Sequence, residues 1–180
     1  MQDWISNSHR TTVKTILRFL AAAALCVALG GCATSSMGQG KTDVTVTVAN
    51  YTNDYVKLTL MSPSGQNLGI GDDAKPFSEG GTGGWSCCAM VPNVGQTVRV
   101  ELRVGGFNDT AEQYKTYSRD VVVKGTLPPP EDKLQSYLIV RIFPAHQVEA
   151  ELIPSGDFDP KNPRVDKLFS GRRVMRQMGE

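Results

Sequence analysis

A strict alternation of apolar and polar residues runs from Thr97 to Val104 and constrains the fold more than any other pattern in the chain. Apolar side chains occupy every second position, and charged side chains lie between them. Successive side chains of a β-strand point to opposite faces, so this spacing predicts a half-buried strand. The same period recurs in Asp43–Ala49 and Tyr55–Met61, on either side of a turn-rich stretch. We expect these two segments to pair as an antiparallel hairpin.

Other short apolar segments predict further strands, and no segment has a long helical pattern. The candidates are Leu68–Ile70, Ser86–Val91, Asp120–Lys124, Ser136–Phe143 and Gln147–Leu152. Short strands separated by Gly- and Pro-rich turns are typical of an all-β sandwich or a small barrel. We predict a small antiparallel β-sandwich, immunoglobulin-like or transthyretin-like, with long Gly/Pro-rich loops. The longest loop spans Ser62 to Gly84, and connections of this length are usually functional or mobile.

The N-terminus has the features of an export signal. Basic residues precede a short apolar run, Phe19 to Leu29, which is about half of the ~20 residues that a membrane-spanning helix needs. The following Leu29-Gly30-Gly31-Cys32 resembles the lipobox of bacterial lipoproteins. We predict a lipoprotein signal peptide over residues 1–31 and acylation of Cys32, with chains such as palmitate that anchor the protein by hydrophobic burial. An aspartate directly after the acylated cysteine would resemble an inner-membrane retention signal, but this chain has Ala33 at that position. We therefore expect a lipid anchor in the cell outer membrane, facing the periplasm.

The remaining chain divides by composition into three parts. Residues 32–41 are small and polar and form a flexible tether, residues 42–160 form the β-sandwich domain, and residues 161–180 form a basic tail, disordered or folded as a short helix. The tail carries six basic and two acidic side chains. One interpretation is a frayed, solvated terminus. The other is a segment that contacts anionic lipid or an acidic partner.

The stretch Gly80–Pro92 joins a run of glycines to the adjacent Cys87 and Cys88. After export and acylation these are the two thiols left in an oxidising compartment. They can form a vicinal disulfide, remain free as structural thiols, or pair with another chain; a structural role is favoured over a redox role. The glycines allow a close backbone approach or a positive φ. We expect Trp85 to cover the edge of the core beside them.

The sequence offers no recognisable catalytic set. The mature chain has one histidine, His146, in a predicted turn, and it has no zinc-ligand spacing, nucleophile elbow or phosphate loop. With 19 Lys and Arg against 18 Asp and Glu, the near-neutral charge argues against a nucleic-acid partner. We therefore predict a protein that is not an enzyme, has no catalytic residues and uses no metal or other cofactor.

Four segments of the mature chain stand out together. They are Asn50–Val56, the Gly-rich stretch that ends in Cys87–Pro92, the strand Val98–Val104 and the segment Leu138–Pro144. Together they resemble a family of bacterial lipoproteins named domain of unknown function 3304, over roughly Val44 to Pro163. The acidic region Asp72–Glu79 departs from that pattern, because it is longer and more acidic than the resemblance leads us to expect.

The resemblance implies an envelope lipoprotein with no known activity, and such proteins are often associated with type VI secretion loci that carry lipase-like effectors. It therefore implies an immunity protein that binds an incoming effector. The alternative is a structural or assembly lipoprotein of the cell envelope or the secretion machinery. For a protein partner, loops on a rigid scaffold are the expected contact region, so the candidate partner-binding residues are Asp72, Asp73, Glu79 and Trp85.

Overall fold

The structure is a computed structural model, and it describes residues 40–180. Eight strands form: β1 (Lys41–Asn50), β2 (Tyr55–Met61), β3 (Asn67–Ala74), β4 (Thr82–Pro92), β5 (Thr97–Gly105), β6 (Lys115–Gly125), β7 (Ser136–Phe143) and β8 (Gln147–Ile153). Four short 3-10 turns accompany them: Phe77–Glu79, Pro144–His146, Ser155–Asp157 and Lys167–Ser170. The all-β prediction agrees with this architecture.

Within residues 40–180, no helix has the length and apolar character needed to cross a membrane.

The strands close into a barrel in the order β1-β4-β3-β2-β5-β6-β8-β7, with β7 pairing back onto β1. Two pairings are parallel, β1 with β7 and β6 with β8. The other neighbours are antiparallel. The predicted antiparallel β-sandwich is therefore wrong. Apolar alternation specifies which face of each strand is buried, but it does not specify the neighbours, and the two parallel pairings close the sheet on itself.

The predicted hairpin between the first two strands is also wrong, because β1 and β2 are not neighbours in the barrel. The chain beyond β1 continues along β7, where the Tyr51 amide donates to the carbonyl of Ile142 at 2.8 Å. The side-chain amide of Asn50 then holds the following turn, since its Nδ2 atom donates to the carbonyls of Asp54 (2.8 Å) and Lys75 (3.0 Å). These contacts direct the chain across the end of the barrel.

The barrel interior is built from every second residue of the strands, as the alternation predicts. In β5, for example, Val98, Val100 and Leu102 are fully buried, whereas the charged residues between them are partly exposed. The observed bounds of β2 and β7 coincide with the predicted segments. Within the expected long loop Ser62–Gly84, residues Asn67–Ala74 form strand β3 and the last residues begin β4, so these parts belong to the barrel wall.

The C-terminal residues 154–180, which we call the C-terminal clasp, cover the outer face of the barrel near β7 and β8. Val165 packs with Ile139 and Ile153, and Leu168 packs in a second cluster with Tyr51 and Phe143. The predicted basic tail, residues 161–180, is part of this segment. It contains the 3-10 turn Lys167–Ser170.

A buried charged network fixes the clasp to the barrel. Arg141 of β7 donates to Asp166 at 3.2 Å, to Glu151 at 2.8 Å and to the carbonyl of Arg164 at 2.6 Å. The hydroxyl of Tyr51 donates to the same Asp166 carboxylate at 2.7 Å. The Arg141 and Asp166 side chains are buried, so the Asp166 charge depends mainly on Arg141 for compensation, whereas Arg141 also pairs with Glu151.

The predicted signal peptide (residues 1–31), the lipidation site Cys32 and nearly all of the predicted tether lie outside the described residues. Within the described part, Lys41 already belongs to β1.

Candidate functional site

Strand β4 contains two β-bulges, and both lie in the Gly80–Pro92 stretch. On one side of the first bulge Thr47 pairs with Trp85, and on the other Ala49 pairs with Thr82. The second lies between the pairs Val44–Ala89 and Thr45–Cys87, so Cys88 has no ladder partner. A bulge adds a residue to one strand and changes the direction of nearby side chains. These two bulges place Trp85, Cys87 and Cys88 on the outer surface of the barrel.

The first bulge depends on glycine. A Cβ atom on Gly83 would overlap the backbone carbonyl of Asp73, across the junction between β3 and β4. Gly81 has a φ of 69°, and a Cβ there would lie 2.7 Å from the carbonyl of Asn50. The glycine run therefore serves both purposes predicted for it, a close backbone approach and a positive φ.

Trp85 belongs to an aromatic cluster on this outer surface. Its ring meets Tyr137 edge-on at 5.4 Å and Phe158 at 5.1 Å, and the latter two rings lie 4.0 Å apart. Trp85 is 55% exposed, so it does not cover the edge of the core as we expected. Edge-to-face contacts of this kind stabilise the arrangement of the rings. The cluster therefore presents an apolar surface that is partly open to solvent.

Cys87 and Cys88 are joined in a disulfide, with a cis peptide bond between them. Both residues are exposed, because the bulge interrupts the alternation that would bury one of them. Cys87 Sγ lies 3.2 Å from Oε1 of Gln135, a contact rather than a hydrogen bond because a disulfide sulfur has no proton to donate. We call the surface formed by Trp85, Cys87, Cys88, Tyr137 and Phe158 the aromatic–disulfide face.

Asp72 lies in the row of β3 residues that also contains the buried Ile70 and Ala74. Its Oδ1 atom accepts from the amides of Asp73 (2.8 Å) and Gly84 (3.2 Å), so it bridges β3 and β4. Its Oδ2 atom is buried without a partner among the described residues. Burial raises the pKa of the Asp72 carboxyl above its ordinary value, although the two amides oppose this shift. This carboxylate therefore destabilises the barrel when it is ionised.

Replacing Asp72 with asparagine should stabilise the domain at pH 7 by about 1 kcal/mol, because the uncharged amide keeps the acceptor oxygen and removes a poorly solvated charge. A carboxyl group with a raised pKa favours the folded state at low pH, and this contribution is lost as the pH rises through the folded-state pKa. The difference between D72N and the natural protein should therefore shrink on acidification. Urea unfolding at pH 7 and pH 4 measures both effects; a less stable variant at pH 7 would contradict the prediction.

The side chains of the other two predicted acidic residues make different contacts from that of Asp72. Asp73 accepts a hydrogen bond from the Tyr55 hydroxyl at 2.7 Å. The pKa of Tyr55 lies above its ordinary value. Burial is the larger cause, and the hydrogen bond to the Asp73 carboxylate is the second. Glu79 is exposed and lines a shallow groove with Tyr55 and Phe107. Of the candidate partner-binding residues, Trp85 alone belongs to the aromatic–disulfide face.

The described residues do not assemble a metal site: among residues 40–180 no group of three or more His, Cys, Asp or Glu side chains could hold an ion. His146 lies in the turn between β7 and β8 and stacks on Tyr117 with ring centroids 3.8 Å apart. The His146 carbonyl accepts from Arg119 at 3.0 Å.

No family model matches the chain, and a search of curated proteins found no match. The resemblance to the lipoprotein family stays a prediction.

Two members of the aromatic–disulfide face, Tyr137 and Phe158, were not identified from the sequence. Tyr137 is the second residue of a strand predicted as buried, and Phe158 lies in a Pro- and Asp-rich stretch. Both are partly exposed in the structure. Tyr137 approaches Trp85 because β1 lies between β4 and β7, and Phe158 does so because the clasp packs against Ile139 and Ile153; neither arrangement is encoded in a local pattern.

Proposed function

We propose that this domain is a non-catalytic protein-binding module of a lipoprotein, anchored in the outer membrane through Cys32 and facing the periplasm. We further propose that it acts as an immunity protein against a lipase-like effector of type VI secretion, as the family resemblance implies. The observation that carries the binding role is the exposed aromatic–disulfide face. Trp and Tyr are enriched among the residues that dominate binding energy in protein interfaces.

The contacts of Trp85 within this face support a protein partner. Trp85 contacts both Tyr137 and Phe158, so the protruding indole is held in one orientation before binding. A side chain that is already ordered loses less conformational entropy on association. The exposed Met90 belongs to the same strand as Trp85 and adds apolar surface.

The binding role predicts that Trp85→Ala weakens association with the partner by about 30-fold or more, since loss of a dominant interface residue costs roughly 2 kcal/mol or more. The partner is captured from cells that carry the secretion system, identified by mass spectrometry and titrated against the purified protein. Phe107→Ala is the matched control, because Phe107 is also aromatic and is 71% exposed but contacts Tyr55 instead of the aromatic–disulfide face. Equal affinities of the two variants would exclude this face from the interface.

Competition between sister cells tests the immunity role separately. A strain that lacks the gene should be killed by neighbours armed with type VI secretion. The natural chain and F107A should restore survival, whereas W85A should not. Survival of the deletion strain would contradict the immunity role. Capture of baseplate or membrane-complex proteins in place of an effector would favour the structural or assembly role.

A further inference from the structure

The end of the C-terminal clasp leaves large apolar side chains in solvent although the segment is attached to the barrel. Val174, Met175 and Met178 are 45%, 52% and 52% exposed. Two contacts hold the segment that carries them: Arg176 lies 3.9 Å from Asp166, and the Gly179 amide donates to Glu149 at 2.6 Å. The apolar side chains are thus presented outward from a backbone that is fixed on both sides of Met178.

Basic side chains surround these apolar residues. Lys167, Arg172 and Arg173 are exposed, and their side chains make no ion pair or hydrogen bond within the described part of the chain. Lys167 lines the same groove as Val174 and Met175. The carboxylate in that groove belongs to Glu180, which accepts a hydrogen bond from the Gln177 amide at 3.1 Å. The local charge is therefore positive and complements an anionic surface.

We infer that this basic–apolar surface, formed by Lys167, Arg172, Arg173, Val174, Met175 and Met178, binds an anionic lipid bilayer. Basic and apolar side chains that share one short segment can contact headgroups and the acyl boundary together. A protein interface instead separates an apolar centre from a polar rim. Here Lys167 and Arg176 line the same groove as Val174 and Met175, so the basic and apolar side chains are not separated in this way.

The course of the clasp determines how the barrel meets the bilayer. Val165 packs on Ile139 and Ile153, and Leu168 packs on Phe143, so the clasp runs along the outer wall of β7 and β8. Met175 and Met178 line a groove with Phe143, Pro144 and Gln147, at the turn between β7 and β8. Contact through this surface therefore places that end of the barrel against the lipid. This inference does not depend on the protein-binding role proposed above.

Limited proteolysis tests the inference on the full-length chain. Trypsin cleaves after Arg172 and Arg173, and also after Lys133, which is exposed in the connection between β6 and β7 and serves as the internal control. The chain is mixed with an excess of vesicles of phosphatidylcholine, with or without phosphatidylglycerol. Cleavage at Arg172 and Arg173, normalised to cleavage at Lys133, should be about tenfold slower on the anionic vesicles, and high salt should remove this protection.

Equal normalised rates on the two kinds of vesicle would overturn the inference. A variant with Val174, Met175 and Met178 replaced by serine keeps the cleavage sites and tests the apolar part of the contact. It should lose most of the protection; full protection would show an electrostatic attraction without insertion and would contradict the proposed contact. A periplasmic extract can also be added to both vesicle types. If protection appears only then, and on both, this surface binds a protein partner and the lipid-binding inference is overturned.

Discussion

Arg141→Met should lower the free energy of unfolding by about 3–5 kcal/mol, the largest effect that we expect from a single substitution in this chain. Methionine keeps much of the apolar volume of the arginine stem, but it removes three hydrogen bonds and the charge that compensates Asp166. Asp166 would then remain buried with a hydroxyl from Tyr51 and an amide from Leu168, and with Arg176 as a distant cation. Urea unfolding at neutral pH measures the loss.

Arg99→Met is the matched control. Arg99 also pairs with an aspartate, Asp120 at 2.7 Å, but its side chain is 33% exposed and that of Asp120 is 52% exposed. An exposed ion pair contributes about 0–1 kcal/mol, so R99M should change stability little. If R141M and R99M cost the same, the Arg141 network does not hold the clasp in place.

The double variant R141M/D166N separates the loss of contacts from the cost of an unpaired charge. Asparagine at position 166 carries no charge, its one oxygen can still accept from the Leu168 amide, and its NH2 group can donate to the Tyr51 hydroxyl oxygen. The double variant should therefore be more stable than R141M alone, because the uncompensated buried charge is gone. A double variant that is less stable than R141M would indicate that Asp166 has adequate solvation or pairing without Arg141.

Gly83→Ala should destabilise the domain by about 3 kcal/mol, because the added methyl group overlaps the Asp73 carbonyl. The backbone at the junction must move apart, and Ala74–Gly83 is the ladder pair that joins β3 to β4 there. The substitution should therefore open the barrel at one place. Hydrogen exchange should show faster exchange in β3 and β4 than in β7 and β8.

The neighbouring Gly84 provides the control for this prediction. A Cβ atom on Gly84 would lie 3.7 Å from Asp72 Oδ1, an ordinary van der Waals distance. Gly84→Ala should therefore change the free energy of unfolding by less than about 1 kcal/mol. Similar small effects of G83A and G84A would show that the junction between β3 and β4 is easily displaced.

The strands themselves were largely predictable, because their period is local. Tyr55–Met61 and Ser136–Phe143 were located to the residue from apolar alternation and an apolar run bounded by turns. Strand β4 was placed only in part, from Ser86, since the glycines before it conceal the strand from a propensity argument. Glycine weakens a strand in general, but here it allows the approach to Asp73 that forms the junction.

The arrangement of the strands was not predictable from the same patterns. Val44, Val46 and Val48 face inward in a sandwich as well as in a barrel, and the parallel pairing of β1 with β7 joins segments about 90 residues apart. The order and closure of the sheet follow from such distant contacts. The hairpin prediction failed for this reason, because a short turn favours antiparallel pairing of its flanking strands but does not impose it.

One residue of the sequence indicates that a further segment must pack against strand β7. Arg141 interrupts the otherwise apolar run Leu138–Phe143, and a charge in a buried strand requires a partner. The sequence does not identify that partner, since Asp166 lies 25 residues further along and outside the predicted domain. The same holds for the aromatic–disulfide face. Trp85 was a candidate from the sequence, but its neighbours belong to elements that only the fold brings together.

The position of β1 between β4 and β7 has a mechanical consequence. A pull on the N-terminus, such as a membrane anchor would transmit, acts along the axis of β1. The hydrogen bonds to both neighbours lie across that axis, over the registers Lys41–Pro92 and Val44–Ser136 and onward. They are loaded in shear and must break together, so the strand nearest to the proposed anchor is also the one placed to bear tension without unravelling the barrel.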